Sequence, residues 1–556
     1  MTSPVGGCFP ALCILQCMVL VLAATTTNSP ETTTEETTTD PPTTTTTLPT
    51  TTTPTTTTTT EAPYLEWAYP DLSSRAPEKN SRIAVVGGTA QGIHLALLLT
   101  DAGFTDVNVY ESSHRLGGES FSVYFNGHTF LLGETFVFDD EEGILAKLNK
   151  RFESTELTPV KNPSIWVSKT TKLSFMDYLL KVAKEVSPTA GVTSENVVKY
   201  YQVLLTKYKE ALYANFGNYN GHLMRRPLDS ALKRYKKTFL QFLVANKVEA
   251  LKSIFQVMAT AIGAGDIAEM PSLYGCMFIN RRMATVLSNK LGSGKPIASV
   301  FKKGSQFITE DIAKMMGLDI KLDHETNEIE RHPGGYYHLY YKKEYVKASS
   351  KKKKCSKGYF KRKFDHIFIA VEPYEFIPFL TQPRNELIDV LGSLQSSFDT
   401  YNLLRTNVTT RGERLHEQFA FNNYEGFKTH SCLDNIQGKG PNVNPDYKYT
   451  VCLQESETSN RTLLAEEMHS HIEEMEYNLI NPSSNTSVAD TIKLFQRWES
   501  ERFDSYAMSN ATLWKLLNMQ GKDGLWFISR AASFGYADAM FDYNERLLKS
   551  MGVSFT

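Results

Sequence analysis

The hydrophobic pattern of the chain changes period several times. Arg82–Val86 is a short run of buried-strand character, and beyond a glycine turn the apolar positions of Gly92–Ala102 recur at helical spacing until Gly103 stops them. Asp106–Tyr110 resumes the β pattern, so Arg82 to Glu111 reads as a βαβ unit, the seed of a parallel α/β sheet. Phe121–Phe125 and Phe130–Leu132 flank Asn126-Gly127, the signature of a tight hairpin. From about Leu173 to Leu291 the period becomes helical, with segments at Val197–Ala214, Pro227–Ala245 and Val248–Ile262. Each aromatic there, taken singly, reads as helix core. After a helix over Ile308–Met316 the β pattern returns in IKLDHETNEIERH, YYHLYYKKEYV and FDHIFIAVEP. The C-terminus predicts a strand at Leu525–Ile528, a loop at Ser529–Gly535 and a helix at Tyr536–Ser550.

The N-terminus departs from this pattern. Ala11–Ala24 is an uncharged apolar run ending in small residues, too short to span a bilayer comfortably, and reads as a secretory signal peptide with an uncleaved anchor as the alternative. Thr25 to Pro63 is almost entirely Thr, Pro and Glu, with no apolar surface to offset the entropy of folding, and reads as a disordered, O-glycosylated, mucin-like stalk. Sequons at Asn407, Asn460, Asn485 and Asn510 agree with a secreted, extracellular glycoprotein. With Cys8, Cys13 and Cys17 lost with the signal, Cys276, Cys355, Cys432 and Cys452 remain. These are too few for a disulfide scaffold and wrongly spaced for zinc, though a single Cys432–Cys452 bridge suits an oxidising compartment. No later apolar run is long enough for a membrane span. The 556 residues, 41% hydrophobic and 22% charged with a net charge of −2, suffice for more than one core and point to no nucleic-acid partner. One basic cluster stands out, Lys351–Lys354 with Lys357, Lys361, Arg362 and Lys363. It reads as a solvated loop, the alternative being attachment to an anionic polysaccharide.

The candidate chemistry lies in the βαβ turn. Gly87 and Gly92 occupy the first and third positions of a GxGxxG dinucleotide fingerprint, Gly88 adds backbone freedom, and Thr89 stands at the second glycine position. A threonine there either pushes phosphates away or replaces a backbone contact by its hydroxyl. Glu111, at the end of the second strand, falls about 20 residues past the turn, where the fold places the carboxylate that binds a ribose hydroxyl.

Directly after Glu111, the run Arg115-Leu116-Gly117-Gly118 resembles the RxGG signature of flavoproteins of the amine-oxidase-like superfamily, in which paired glycines let a loop pass close to the FAD pyrophosphate. The likeness is greatest to FAD-dependent polyenoic fatty acid isomerases. It rests on SRIAVVG, LLTKYKEALYANFGNYNGH, AIGAGDIAEMPSLY and the C-terminal MQG and SFG, and it covers most of Ser81–Met551. Prenylcysteine oxidase and the amine oxidases are more distant. The resemblance implies a Rossmann-like FAD-binding domain of the glutathione-reductase type with a helical and β substrate domain. It places the backbone near Thr326 at the adenine and the N-terminus of the helix at Tyr536 toward the flavin's pyrimidine edge. Two further departures fall on cofactor motifs: Glu119 where a basic residue usually follows the glycines, and Ser529-Arg530 where a Gly-Asp or Gly-Glu pair usually bonds the ribityl chain.

The segments expected are a signal (1–24), a stalk (25–79), an FAD-binding domain in three parts (80–150, 301–374, 511–556), a helical cap (151–300) and a further substrate segment (375–510). The function implied is an FAD-dependent oxidoreductase or isomerase that transfers hydride from a small lipidic or amine substrate. The competing reading is an extracellular binding protein that kept the fold and lost the cofactor. A stalked structural glycoprotein, a third, leaves the ordered motifs unexplained. The residues named for the cofactor are Gly87, Gly88, Thr89, Gly92, Glu111, Arg115, Gly117, Gly118, Thr326, Ser529, Arg530 and Tyr536. The sequence names no catalytic base, nucleophile or metal ligand.

Overall fold

Strand β1 (Arg82–Val86), helix α1 (Ala90–Asp101) and strand β2 (Asp106–Tyr110) form the βαβ unit, and three more strands extend its sheet. The order across it is Asp319–Lys321, β2, β1, His366–Ile369 and Leu525–Phe527, all parallel. Numbered by appearance in the chain, that is 3-2-1-4-5. The direction of winding therefore reverses between β1 and His366–Ile369, and ligands of such sheets bind at the carboxyl ends of the strands beside this point. The computed structural model describes residues 70–168, 171–217, 221–222, 225–347, 354–406, 416–419, 430–437, 448–456 and 492–555. The signal, residues 25–69 of the expected stalk, Lys351–Lys353, Asn407, Asn460 and Asn485 lie outside them, whereas residues 70–79, also expected in the stalk, belong to the fold: Leu72 is buried and its amide bonds to Ser550 O at 2.8 Å. Asn510 lies within and is exposed.

The sheet is covered on both faces, which is why Ile83, Ala84, Val85 and Val86 form a continuous buried run rather than an alternating one. On one side α1 is sandwiched between the sheet and the C-terminal helix Ala537–Ser550, so ten of its twelve residues are buried and it carries little amphipathic signal. Asn544 of the C-terminal helix donates to the carbonyl of Gln91 at 2.8 Å, fixing the two helices at the start of α1.

Two further sequence expectations need correction. The helix expected over Pro227–Ala245 is two helices, Asp229–Arg234 and Phe239–Ala245, because Thr238 starts a new one through a capping box with Gln241. The basic cluster is not a loop throughout: Lys354–Phe364 is a strand paired along its length with Tyr336–Lys347. There Lys361 and Lys363 face outward, while Arg362 turns inward to Asn108 (2.7 Å) and Asp106 (3.2 Å) on β2.

The substrate side is built from a helical layer over residues 175–293 and a seven-stranded sheet that includes Leu394–Thr406, Lys448–Ser456 and Ile492–Phe503. In the helical layer Tyr208, Phe239, Phe242 and Phe255 pack on one another in the core. In the sheet Cys432 and Cys452 sit directly opposite on neighbouring antiparallel strands and are joined by a disulfide. Cys276 is free and buried. No helix among the described residues is long and apolar enough to cross a membrane.

Candidate functional site

The carboxyl ends of β1, β2 and His366–Ile369 open into one cavity of about 370 Å³, which the loop after Leu525–Phe527 also borders. Its lining takes Glu111, Ser112, Ser113 and Arg115 from the loop after β2, Thr89, Ala90 and Gln91 from the start of α1, Gly117, Gly118 and Glu119 from the glycine loop, and Glu134, Glu372, Tyr401, Trp498, Arg530 and Tyr536 from the remaining walls, with the Arg115 guanidinium 5.6 Å from the Trp498 ring. A cavity at the reversal point of a 3-2-1-4-5 sheet, running past the N-terminus of the first helix, has the placement and form of a dinucleotide site.

The Glu111 carboxylate is held by two backbone amides, accepting from Gly88 N and Ser113 N, each at 2.7 Å. A carboxylate offers about four acceptor directions, so the pair of oxygens keeps capacity for the hydroxyls of a ribose. Gly88 itself does not line the cavity. A side chain there would run into Leu116 and Glu111, so its role is to let the carboxylate approach the turn, a correction to its placement beside phosphates. Gly92 is also set back from the cavity: a Cβ would stand 2.3 Å from the carbonyl oxygen of Gly87, which makes it the close-packing point between helix and turn.

Thr89 caps α1. Its hydroxyl accepts from Gly92 N (3.1 Å) and donates to Ala370 O (3.2 Å), so it is spent within the fold rather than offered to a phosphate. In this arrangement the hydroxyl's one donor is directed to Ala370 O and not into the cavity. The amide of Gln91, in the first turn and lining the cavity, has no partner carbonyl and remains to face an anion, whereas the Thr89–Gly117 bridge turns the Ala90 amide toward Gly117 O. The paired glycines lie against this turn: Gly117 N donates to Gly88 O at 2.8 Å, and a Cβ on Gly118 would stand 3.0 Å from the Thr89 methyl group. Gly117 and Gly118 both adopt positive φ, +106° and +56°. Arg115 braces their loop, donating to the carbonyls of Leu116 (3.2 Å) and Gly118 (2.8 Å) with its guanidinium over Phe121.

The two departures farthest apart in sequence meet here. Arg530 reaches across the cavity to form an ion pair with Glu119, and its Nη2 donates to Gly535 O. Desolvation works against the charge of Arg530, but attraction to Glu119 and Asp399 outweighs it and raises its pKa above the ordinary arginine value. Glu372 accepts from Arg530 N (3.3 Å) through Oε1, while its buried Oε2 has no partner. Burial pushes Glu372 well above the usual carboxylate range and Glu134 up to about 7, the latter against opposing hydrogen bonds from Ala537 N and Ser120. Tyr536 is buried, and burial likewise raises its phenol; its hydroxyl donates to Asp538.

Of the residues singled out in sequence, Thr89, Glu111, Arg115, Gly117, Gly118, Arg530 and Tyr536 line the cavity. Gly87, Gly88 and Gly92 shape the turn behind it, and Ser529 is buried outside the lining. Thr326 also lies outside, two residues past His324, whose amide bonds to Glu111 O (2.8 Å). Sequence reasoning missed Glu134, Glu372, Asp399, Tyr401 and Trp498. Two of these carried a signal: Glu134 is a lone charge in the apolar run LLGETFVF, and Glu372 follows a buried strand of the parallel sheet, where ligands bind. The cavity thus fits a nucleotide at the Glu111 carboxylate and at the free Gln91 amide, while the Glu119–Arg530 ion pair stands in its lining.

The fold and this cavity define a dinucleotide-binding α/β protein with a separate substrate layer. A model of flavin containing amine oxidoreductases matches residues 92–398, more than half of the chain. The chain belongs to that family of flavin-dependent oxidoreductases. Among solved structures it is similar to a fatty acid isomerase from P. acnes that produces CLA (15% identity, TM-score 0.65, covering 85% of this chain and 99% of that one). It is also similar to a putrescine oxidase (12% identity, TM-score 0.55, 85% and 99%) and to a putative protoporphyrinogen oxidase from Exiguobacterium (14%, TM-score 0.52, 85% and 98%). At these identities the likeness is one of fold. No curated protein matches the sequence.

Proposed function

We propose that this chain is a secreted FAD-dependent oxidoreductase or isomerase that moves hydride from a small lipidic or amine substrate. The observation that carries the reading is the Glu111 carboxylate, fixed by Gly88 N and Ser113 N in the wall of a cavity that also takes in the first turn of α1 with its free Gln91 amide. A bound flavin supplies the hydride acceptor. The chain's own residues bind and orient. Glu111 takes the ribose, the Gln91 amide faces the phosphates, and Tyr401 and Trp498 border the side formed by the seven-stranded sheet, from which a substrate enters. Trp498 is held there by its indole N–H, which donates to Leu132 O at 2.8 Å.

Flavin titration of the purified protein tests the reading. Glu111→Ala should weaken FAD by about tenfold or more, the loss of a charge-assisted hydrogen bond of roughly 1.5–3 kcal/mol. Equal affinity in wild type and variant would show that this turn is not the cofactor site. The second reading, a binding protein that has lost the cofactor, draws on the Glu119–Arg530 pair, which stands in the lining of the cavity. It predicts a colourless protein that takes up no flavin. Secretion rests on the signal run and the sequons; expression in a secretory cell, followed by glycosidase treatment, should give a medium-borne product whose mobility shifts.

A further inference from the structure

We propose that Arg530 is the phosphate-binding residue of this site, and that Glu119 and the phosphates compete for its guanidinium. The proposal rests on the flavin-site reading and concerns which wall of the cavity supplies the positive charge.

A nucleotide diphosphate bound between the α1 N-terminus and the glycine loop needs a cation beside it, because the cavity is otherwise acidic. Its lining carries seven carboxyl groups, of which burial favours the neutral form of Glu134 and Glu372, and the other five, among them Glu111, Glu119 and Asp399, still outnumber the three guanidiniums of Arg115, Arg497 and Arg530. Arg115 is committed to the carbonyls of its own loop and stacked on Phe121. Arg497 lies over the Phe398 ring beside Trp498, in the substrate-side sheet. Arg530 alone is tied to the glycine loop from the opposite wall. Gly118 packs on Thr89 at the start of α1, Glu119 follows it, and Arg530 pairs with Glu119. Through Glu119 and Gly118 the guanidinium is thus linked to the residue that caps α1, and both Arg530 and Gln91 line the same cavity.

The surroundings are shaped to hold it. A side chain at Gly535 would meet Arg530 Nε at 2.4 Å, so the absence of one leaves the guanidinium its place, and Gly535 O fixes Nη2. Only two of the five N–H donors of Arg530 are engaged by side-chain bonds, to Glu119 and Gly535, leaving donors for a second anion. The partners differ in exposure, 12% for the Arg530 side chain and 30% for Glu119. Glu119 is thus the one that can turn toward water when a phosphate takes its place. Exchanging one anion for another keeps the guanidinium paired throughout, which avoids the cost of an uncompensated charge in a largely buried site.

Calorimetric titration with adenosine and with ADP, on wild type, Arg530→Gln and Glu119→Gln, tests the proposal. ADP should bind wild type more tightly than adenosine. Arg530→Gln should lose about tenfold or more in ADP affinity while adenosine changes by less than about twofold. Glu119→Gln, which removes the competitor, should bind ADP several-fold more tightly. The opposite sign of the two variants separates the proposal from loss of folding, which melting curves check. An unchanged ADP-to-adenosine ratio in Arg530→Gln overturns it. So does a gain of ADP affinity in both variants, which would make the pair a plug, or ADP binding to none of the three proteins. Adenosine affinity that ignores Glu111→Ala would instead defeat the flavin-site reading while leaving the Arg530 comparison intact.

Discussion

Thr89 shows how one residue can keep a motif's geometry while changing its chemistry. Its hydroxyl closes the first turn of α1, so Thr89→Ala should cost about 1 kcal/mol in urea unfolding, and Thr89→Ser, which retains the cap, should cost almost nothing. Equal losses in both would mean that the cap contributes nothing. The sequence marked this position as a departure, but the partner of the hydroxyl was not legible, because its acceptor, Ala370 O, follows the strand His366–Ile369 and lies 281 residues away. Glu134 was less legible still, since nothing local shows that its carboxyl meets the N-terminus of the last helix (Ala537 N, 2.7 Å). Its folded pKa is raised to about 7, from 4.5, so the folded chain holds a proton that the unfolded chain releases. Its share of stability is therefore greatest below about pH 4.5 and falls as pH rises toward 7, by about 3 kcal/mol at most. Glu134→Gln should flatten the decline in unfolding free energy between pH 5 and about 7. A variant with the wild-type slope would contradict the shift.

At the scale of elements, the βαβ unit was readable because three signals agree: a buried run, a glycine turn and an apolar helix. What the period did not give was the start of α1, two residues earlier than the apolar run, because Gln91 is a polar residue buried by its bonds to the C-terminal helix and not part of an apolar stripe. Gly92 carries that junction. Gly92→Ala places a methyl group 2.3 Å from Gly87 O and must push the helix off the turn, so a loss of about 1–3 kcal/mol in denaturant unfolding is expected. A neutral result would mean that the turn can yield. The basic cluster was misread in part for a related reason. Lysines on an exposed strand edge resemble a loop by composition, and only the register against Tyr336–Lys347 reveals the strand.

For the whole molecule, the order of segments that build the parallel sheet was legible from motifs scattered over more than 400 residues, whereas the meeting of Glu119 with Arg530 was not, because no sequence signal spans the gap between them. The Cys432–Cys452 bridge, by contrast, was expected from the sequence, and it ties two strands of the substrate-side sheet across a separation of 20 residues. Breaking that bridge with Cys432→Ala and Cys452→Ala together should cost about 3 kcal/mol through the freed unfolded chain, seen as a lower melting temperature. An unchanged melting temperature would mean that the bridge adds nothing to the sheet. The account as a whole stands on the cavity being a flavin site, and the most direct measurement is calorimetric titration of the purified, flavin-stripped protein with FAD. One FAD per chain, with affinity reduced about tenfold or more by Glu111→Ala, is the predicted result. No heat of binding in wild type, and none in Glu119→Gln, would contradict it.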